Sequence, residues 1–216
     1  MIDDYNHELV GPAASVMGAA RQLAAKHNPL AILLEGDPGV GKGHIADTIA
    51  LELTGSEFAI ERINGQSLSV ETLRLWKHRG AFGNLFSAWT VKRVDEIDQA
   101  SSSAMSEMLS YLDYLPRGLA VIATTNEFAK LRNLTKGRLE SRFIRLHVDA
   151  CSVGETAAFL RQRFRIRKEH AEAIAGGAVP DGCLVAAGCN MRTAINDAKG
   201  LAAAIASPAR TKARAA

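Results

Sequence analysis

Gly36-Asp37-Pro38-Gly39-Val40-Gly41-Lys42 is the segment of this 216-residue chain whose residue types and spacing point most directly to chemistry. Glycines let a loop curl until its backbone N–H groups point inward at an anion. A lysine closing such a loop reaches the β- and γ-phosphates of a nucleotide. A helix starting near Lys42 adds the positive end of its dipole. The flanks suit a phosphate loop. Ala31-Ile32-Leu33-Leu34 reads as a short buried strand, and Ile45, Ile49 and Leu53 follow at helical spacing. One position departs from the usual pattern. The residue after the lysine normally offers a hydroxyl to Mg²⁺, and here it is Gly43, followed by His44. With no hydroxyl there, Mg²⁺ is either held through water or helped by a polar contact from His44; the alternative reading of His44 is a plain first-turn helix residue.

Two other positions suit phosphate chemistry. The run Trp89–Val94 ends in Asp95-Glu96. A strand-end Asp holds Mg²⁺ through its water shell, and the adjacent Glu orients and deprotonates an attacking water. The alternative is that both acids merely open the next helix. The run Leu119–Thr124 leads to Thr125-Asn126-Glu127. An amide at a strand's C-terminal end hydrogen-bonds a γ-phosphate or the attacking water; the alternative is a turn-forming Asn.

These residues need a scaffold that brings strand ends together. Strands are predicted at Ala31–Leu34, Phe58–Ile63, Trp89–Val94, Leu119–Thr124 and Phe143–Val148. Helices separate most of them: one follows Gly11-Pro12, one ends at Gly55, and one spans Ser101–Leu112. This alternation predicts an α/β fold with a doubly wound, mostly parallel five-stranded sheet. After Asp149 only helical patterns remain, at Glu155–Phe164, Lys168–Ala175 and Met191–Ile205, separated by Gly176-Gly177 and Pro180-Asp181-Gly182. The expected organisation is an α/β nucleotide-binding core over 1–150, a small all-helical domain over 151–206, and a basic tail over 207–216.

Composition excludes several classes. Hydrophobic residues make up 47% and charged residues 23%, and no apolar run is long enough to span a bilayer. The acidic start, Met1-Ile2-Asp3-Asp4-Tyr5, has no apolar signal core. Cys151, Cys183 and Cys189 match no zinc spacing, so a reduced, cytoplasmic setting with no membrane partner is expected. Charge is uneven. Residues 1–150 hold 16 Lys and Arg against 18 Asp and Glu, whereas residues 151–216 hold 10 against 5. Arg161, Arg163, Arg165, Arg167 and Lys168, then Arg210, Lys212 and Arg214, read either as a surface for a polyanion such as DNA or as a solvated helix face and tail.

Together these motifs resemble the AAA+ ATPases, in order and across residues 9–200. The resemblance implies a P-loop NTPase core followed by a helical lid, with ATP and Mg²⁺ as cofactors. It makes Asn126 the sensor 1 residue. Leu139-Glu140-Ser141-Arg142-Phe143 resembles the motif that supplies an arginine finger to a neighbouring subunit, which implies a homo- or hetero-oligomer. Arg142, just before the fifth strand, is expected on the face that carries the strand C-termini. Gly188-Cys189-Asn190-Met191-Arg192-Thr193-Ala194-Ile195-Asn196 resembles the sensor 2 segment, which places Arg192 over the γ-phosphate.

Within the AAA+ proteins the chain is most similar to the clamp-loader group, the small subunits of replication factor C. Leu9-Val10-Gly11 matches the segment beside the adenine in that group. Arg62-Ile63-Asn64-Gly65-Gln66-Ser67 lies where the group has a Leu-Asn-Ala-Ser run, and Asn190–Asn196 is similar to its Asp-Met-Arg-Arg-Ala-Leu-Asn segment. Gly43 departs from the group but resembles the loop of adenylate kinases. The chain also ends where clamp loaders carry a helical collar, so a stand-alone relative is expected. Three functions follow: an ATPase in a DNA replication, repair or mobile-element process, a non-hydrolysing structural or nucleotide-sensing subunit, or a nucleotide kinase. A kinase leaves Glu96, Asn126, Arg142 and Arg192 unexplained. Residues 64–69 contain no aromatic, which argues against a protein-unfolding pore loop. Lys77-His78-Arg79 reads as an inner ring surface for DNA or as a solvated helix end.

Overall fold

The computed structural model of the protein describes residues 9–80, 87–177 and 190–206, with side chains to 202. Residues 1–5, the 180–182 turn, Cys183, Gly188, Cys189 and the tail arginines and lysine lie outside the described residues.

Five strands form one sheet: β1 (Leu30–Glu35), β2 (Ile60–Asn64), β3 (Thr90–Asp95), β4 (Leu119–Thr125) and β5 (Ile144–His147). Their order is β2-β3-β4-β1-β5 and every pairing is parallel. Helices α1 (Pro12–Lys26), α2 (Lys42–Thr54), α3 (Val70–Arg79), α4 (Ser102–Asp113) and α5 (Phe128–Thr135) alternate with the strands. Parallel strands covered on both faces read as continuous apolar runs, and Leu30–Leu34 and all of β4 are buried accordingly. On one face Leu33, Val94, Val121 and Ala123 pack with Leu73 and Trp76 of α3 and with Met105, Met108 and Leu109 of α4. Ser69 and Ser101 start α3 and α4 by accepting from the N–H groups of Thr72 and Ala104. The second strand starts later than its sequence predicts. Ser56 caps a one-turn 3₁₀ helix over Glu57–Ala59, which leaves Phe58 exposed and moves the strand to Ile60.

The middle of β3 breaks the apolar rule with Lys92 and Arg93, both buried. Strand alternation sends them to opposite faces. Lys92 meets the Glu61 carboxylate, which also accepts from the Trp76 indole at 2.7 Å. Burial works against ionisation of Glu61, but the hydrogen bonds from Lys92 and Trp76 and the Lys92 charge outweigh it. The carboxyl is held below its ordinary range. A depressed folded-state pKa gives stability that is present above the unfolded carboxyl value of about 4.3 and is lost as pH falls through the folded value. Melting temperature should therefore drop on acidification below that range. Glu61→Gln should lower stability at pH 7 and flatten that part of the acid limb in thermal unfolding.

Contacts divide the chain into two compact units. One comprises Ala13–Asp37 and Lys42–Val148 and holds the sheet. The other runs from Asp149 onward and includes Val10–Pro12 and Pro38–Gly41. Its helices are α6 (Val153–Phe164), α7 (Lys168–Ala175) and α8 (Met191–Ala206). A small core of Leu160, Ile166, Ala171, Ile174, Ala194 and Ala198 joins them. Ser152 and Glu155 form a reciprocal cap that starts α6 at Val153.

Candidate functional site

β1 ends at Glu35 and the chain turns through Gly36-Asp37-Pro38-Gly39-Val40-Gly41 into α2. Gly39 and Gly41 take φ values of 85° and 99°, which side chains with a Cβ rarely adopt. Lys42, the first residue of α2, is buried, and its ammonium donates to the carbonyls of Gly36 and Asp37, each at 2.7 Å. His44 is half-buried in the first turn, and its carbonyl accepts from the Thr48 hydroxyl at 2.9 Å. Val10 and Gly11 precede α1, with Gly11 at φ 56° beside the Glu155 carboxylate.

Asp95 ends β3, next to Arg93 and Thr124. Its Oδ1 accepts from Arg93 Nη2 at 2.9 Å and from the Thr124 hydroxyl at 3.4 Å. Glu96 follows in the left-handed region, φ 50°, uncommon for a residue with a long side chain. Its N–H donates to Thr124 Oγ1 at 3.1 Å. Asn126, beyond the end of β4, brings its amide Nδ2 to 3.5 Å from Glu96 Oε1. The structure thus brings Asp95, Glu96 and Asn126 together at the C-terminal ends of adjacent strands. β1, which leads into the phosphate loop, lies on the other side of β4.

Two residues that support this group were missed in the sequence. Asp98 is buried and accepts from the Thr125 hydroxyl at 2.7 Å and from the Asn126 N–H at 3.3 Å. It ties the turn after Glu96 to the segment carrying Asn126. Gly65 lies so close that a Cβ there would stand 2.2 Å from the Glu96 carbonyl oxygen. The Asp-x-x-Asp spacing after β3 was a signal for the first. Nothing in the sequence marked the second.

Arg142 is placed differently from the expectation. Parallel register pairs Ile144 with Ile32, so Arg142 stands level with the start of β1, at the N-terminal edge of the sheet. A strand's length, roughly 20 Å at 3.3 Å per residue, separates it from the loop after Glu35. The expectation had assigned it the strand C-termini; the parallel direction of β5 overturns that. Its guanidinium makes a two-pronged pair with Asp113 at the end of α4, at 2.7 and 3.0 Å, and donates to the Arg138 carbonyl. That hydrogen-bonded pairing holds the Asp113 carboxyl below its ordinary range. Arg192 is the second residue of α8 and exposed. Asn190 caps that helix, its Oδ1 accepting from the N–H groups of Arg192 and Thr193 at 3.1 and 3.3 Å, while its Nδ2 donates to the Pro38 carbonyl at 3.2 Å.

Curled backbone and a buried lysine fit a nucleotide's phosphates. A divalent metal fits the same residues poorly. Position 43 offers no side-chain oxygen, and the Arg93 guanidinium lies close to it and donates to Asp95.

The model of the ATPase family associated with various cellular activities (AAA) matches residues 32–147, more than half of the chain. No curated protein matches it. Several solved structures share the fold. A DNA polymerase III gamma subunit-related protein from Thermotoga maritima superposes with a TM-score of 0.64 at 14% identity, over 85% of this chain and 57% of that one. RuvB of Thermotoga maritima, described as a Holliday junction branch migration motor, gives 0.67 at 20% identity over 92% and 64%. Hsp104 in a closed state gives 0.60 at 17% identity over 94% and 46%. This chain therefore spans less than two thirds of the length of each.

Proposed function

The chain belongs to the AAA family of ATPases, and from that premise we propose that it binds and hydrolyses ATP at the interface between subunits, in a DNA replication, repair or mobile-element process. The observation that carries this reading is the convergence of Asp95, Glu96 and Asn126 at the C-terminal ends of β3 and β4. ATP supplies the phosphoanhydride when bound. Lys42 offsets the charge of its phosphates, Asn126 orients a water, and Glu96 takes that water's proton at Oε1. Arg142 belongs to the neighbouring subunit's site: its distance from its own chain's phosphate loop suits a finger acting in trans. Arg192 is assigned to the γ-phosphate by its resemblance to sensor 2.

The DNA role rests on two supports. Arg161, Arg163, Arg165, Arg167 and Lys168 are all exposed, as are Lys77, His78 and Arg79 at the end of α3. Two fold relatives are a DNA polymerase III gamma subunit-related protein and a Holliday junction branch migration motor. A clamp-loader-like subunit is the form of this reading we favour. A non-hydrolysing, nucleotide-sensing subunit is the second reading, favoured by Gly43.

Steady-state ATP turnover and ATP affinity, measured together with and without DNA, test the proposal. Glu96→Gln is expected to keep affinity within a few-fold and to lose turnover by about 10²-fold or more. Parent-level turnover in that variant would remove Glu96 as the base. A parent chain that binds ATP and never turns it over would establish the second reading.

A further inference from the structure

Gly43 and Arg93 are two irregularities in one place. The first is a missing hydroxyl in the phosphate loop; the second is a charge in the middle of a buried strand. The structure joins them. A Cβ on residue 43 would lie 3.2 Å from Arg93 Nη2. The same Nη2 donates to Asp95 Oδ1 at 2.9 Å, and Nη1 donates to Asp47 of α2. The Arg93 side chain is only 9% exposed, and its Nε–H is buried without an acceptor among the described residues. An arginine is kept in such a place only when its charge is paired, and here carboxylates from α2 and from the end of β3 pair it.

P-loop NTPases set their divalent ion between the hydroxyl after the lysine and the strand-end Asp. In this chain a guanidinium already spans those two positions. A glycine at 43 gives it room, and a Ser or Thr would crowd it. Mg²⁺ needs a near-ideal octahedron of oxygens. It would lose the side-chain oxygen at residue 43 and compete with the Arg93 guanidinium for Asp95.

We propose that Arg93 is the resident cation of this site, taking the place of the loop-bound metal, so that the chain binds ATP without a divalent ion. The proposal rests on the ATP reading above and deepens it. Arg93 acts as a positioning residue: it fixes Asp95 and fills, with a guanidinium already paired to Asp47 and Asp95, the place that relatives with a loop hydroxyl give to Mg²⁺.

The test is a titration of the full chain with a fluorescent ATP analogue, in Mg²⁺ and again in EDTA. Dissociation constants within about 3-fold of each other are expected for the parent, because the cation is covalently built in. Arg93→Met, which keeps much of the buried volume, should make binding depend on Mg²⁺ by about 10-fold or more. Gly43→Thr, which crowds Nη2 and restores the hydroxyl, should move the chain the same way. It is the variant to use if Arg93→Met fails to melt cooperatively. A general structural role for Arg93 would weaken binding equally in both buffers and create no metal dependence, which would overturn the proposal. A parent that binds ATP in Mg²⁺ and at least 10-fold more weakly in EDTA would overturn it while leaving the ATP reading intact. A parent that binds no ATP in either buffer would overturn both.

Discussion

Lys42→Ala is expected to abolish ATP binding, with affinity falling by at least about 10²-fold, the scale of losing a charge-assisted contact to phosphate in a partly dry site. The parent ammonium is buried and held at 2.7 Å from the carbonyls of both Gly36 and Asp37. It is therefore already placed across the loop, and little rotamer freedom remains to be lost when phosphates arrive. Alanine removes the cation and also leaves two carbonyls short of a donor, so the empty loop should relax as well. Calorimetric titration measures the affinity, and a melting curve without nucleotide checks that the fold persists. ATP affinity equal to the parent's in a folded Lys42→Ala chain would sink the phosphate-loop assignment.

Arg142→Ala should lower turnover by about 10³-fold while leaving ATP affinity nearly unchanged, the pattern of a group that acts only in the transition state. The residue stands at the sheet edge opposite Asp95 and Glu96, so it serves a neighbour or nothing. Its tie to Asp113 does not preclude this, since an exposed ion pair contributes little to stability and is readily exchanged for a phosphate partner. Specific activity should rise with protein concentration. Mixing Arg142→Ala with Glu96→Gln should restore part of the rate, because some interfaces then pair an intact Glu96 with an intact Arg142. Turnover independent of concentration, with no rescue on mixing, would place Arg142 outside the reaction. Asp113→Ala gives a further control, for it frees the guanidinium without removing it and should not slow turnover.

Much of this arrangement was legible because it is local. The apolar runs that became β1 and β4 are buried on both faces, which requires only a covering layer. Gly55 stops α2 by donating its N–H to the Leu51 carbonyl, and helices such as α7 fall where their periodicity put them. What escaped depends on partners far along the chain. Asp98 acts on Thr125 and Asn126, which are 27 and 28 residues away. Arg93 looked like one more charge in an ordinary strand because Asp47 lies 46 residues earlier. Arg142 was put at the wrong end of the sheet because the run of β5 gives no direction until its pairing with β1 is known. Phe58 was drawn into a strand by its β propensity, whereas the cap at Ser56 decided the backbone.

Asn190 carries one further consequence. Its carboxamide serves two masters, closing the first turn of α8 through Oδ1 and the Pro38 carbonyl of the phosphate loop through Nδ2. Thermodynamic linkage makes such sharing symmetrical: whatever free energy a ligand at the loop adds to that contact, the helix cap returns in equal measure to the ligand. Amide hydrogen exchange in the first turn of α8 should therefore slow when the loop is filled, and Asn190→Ala should loosen the ligand and fray the helix together. A single planar amide would then let the first turn of α8 register, by its steadiness, whether the loop at Pro38 is charged.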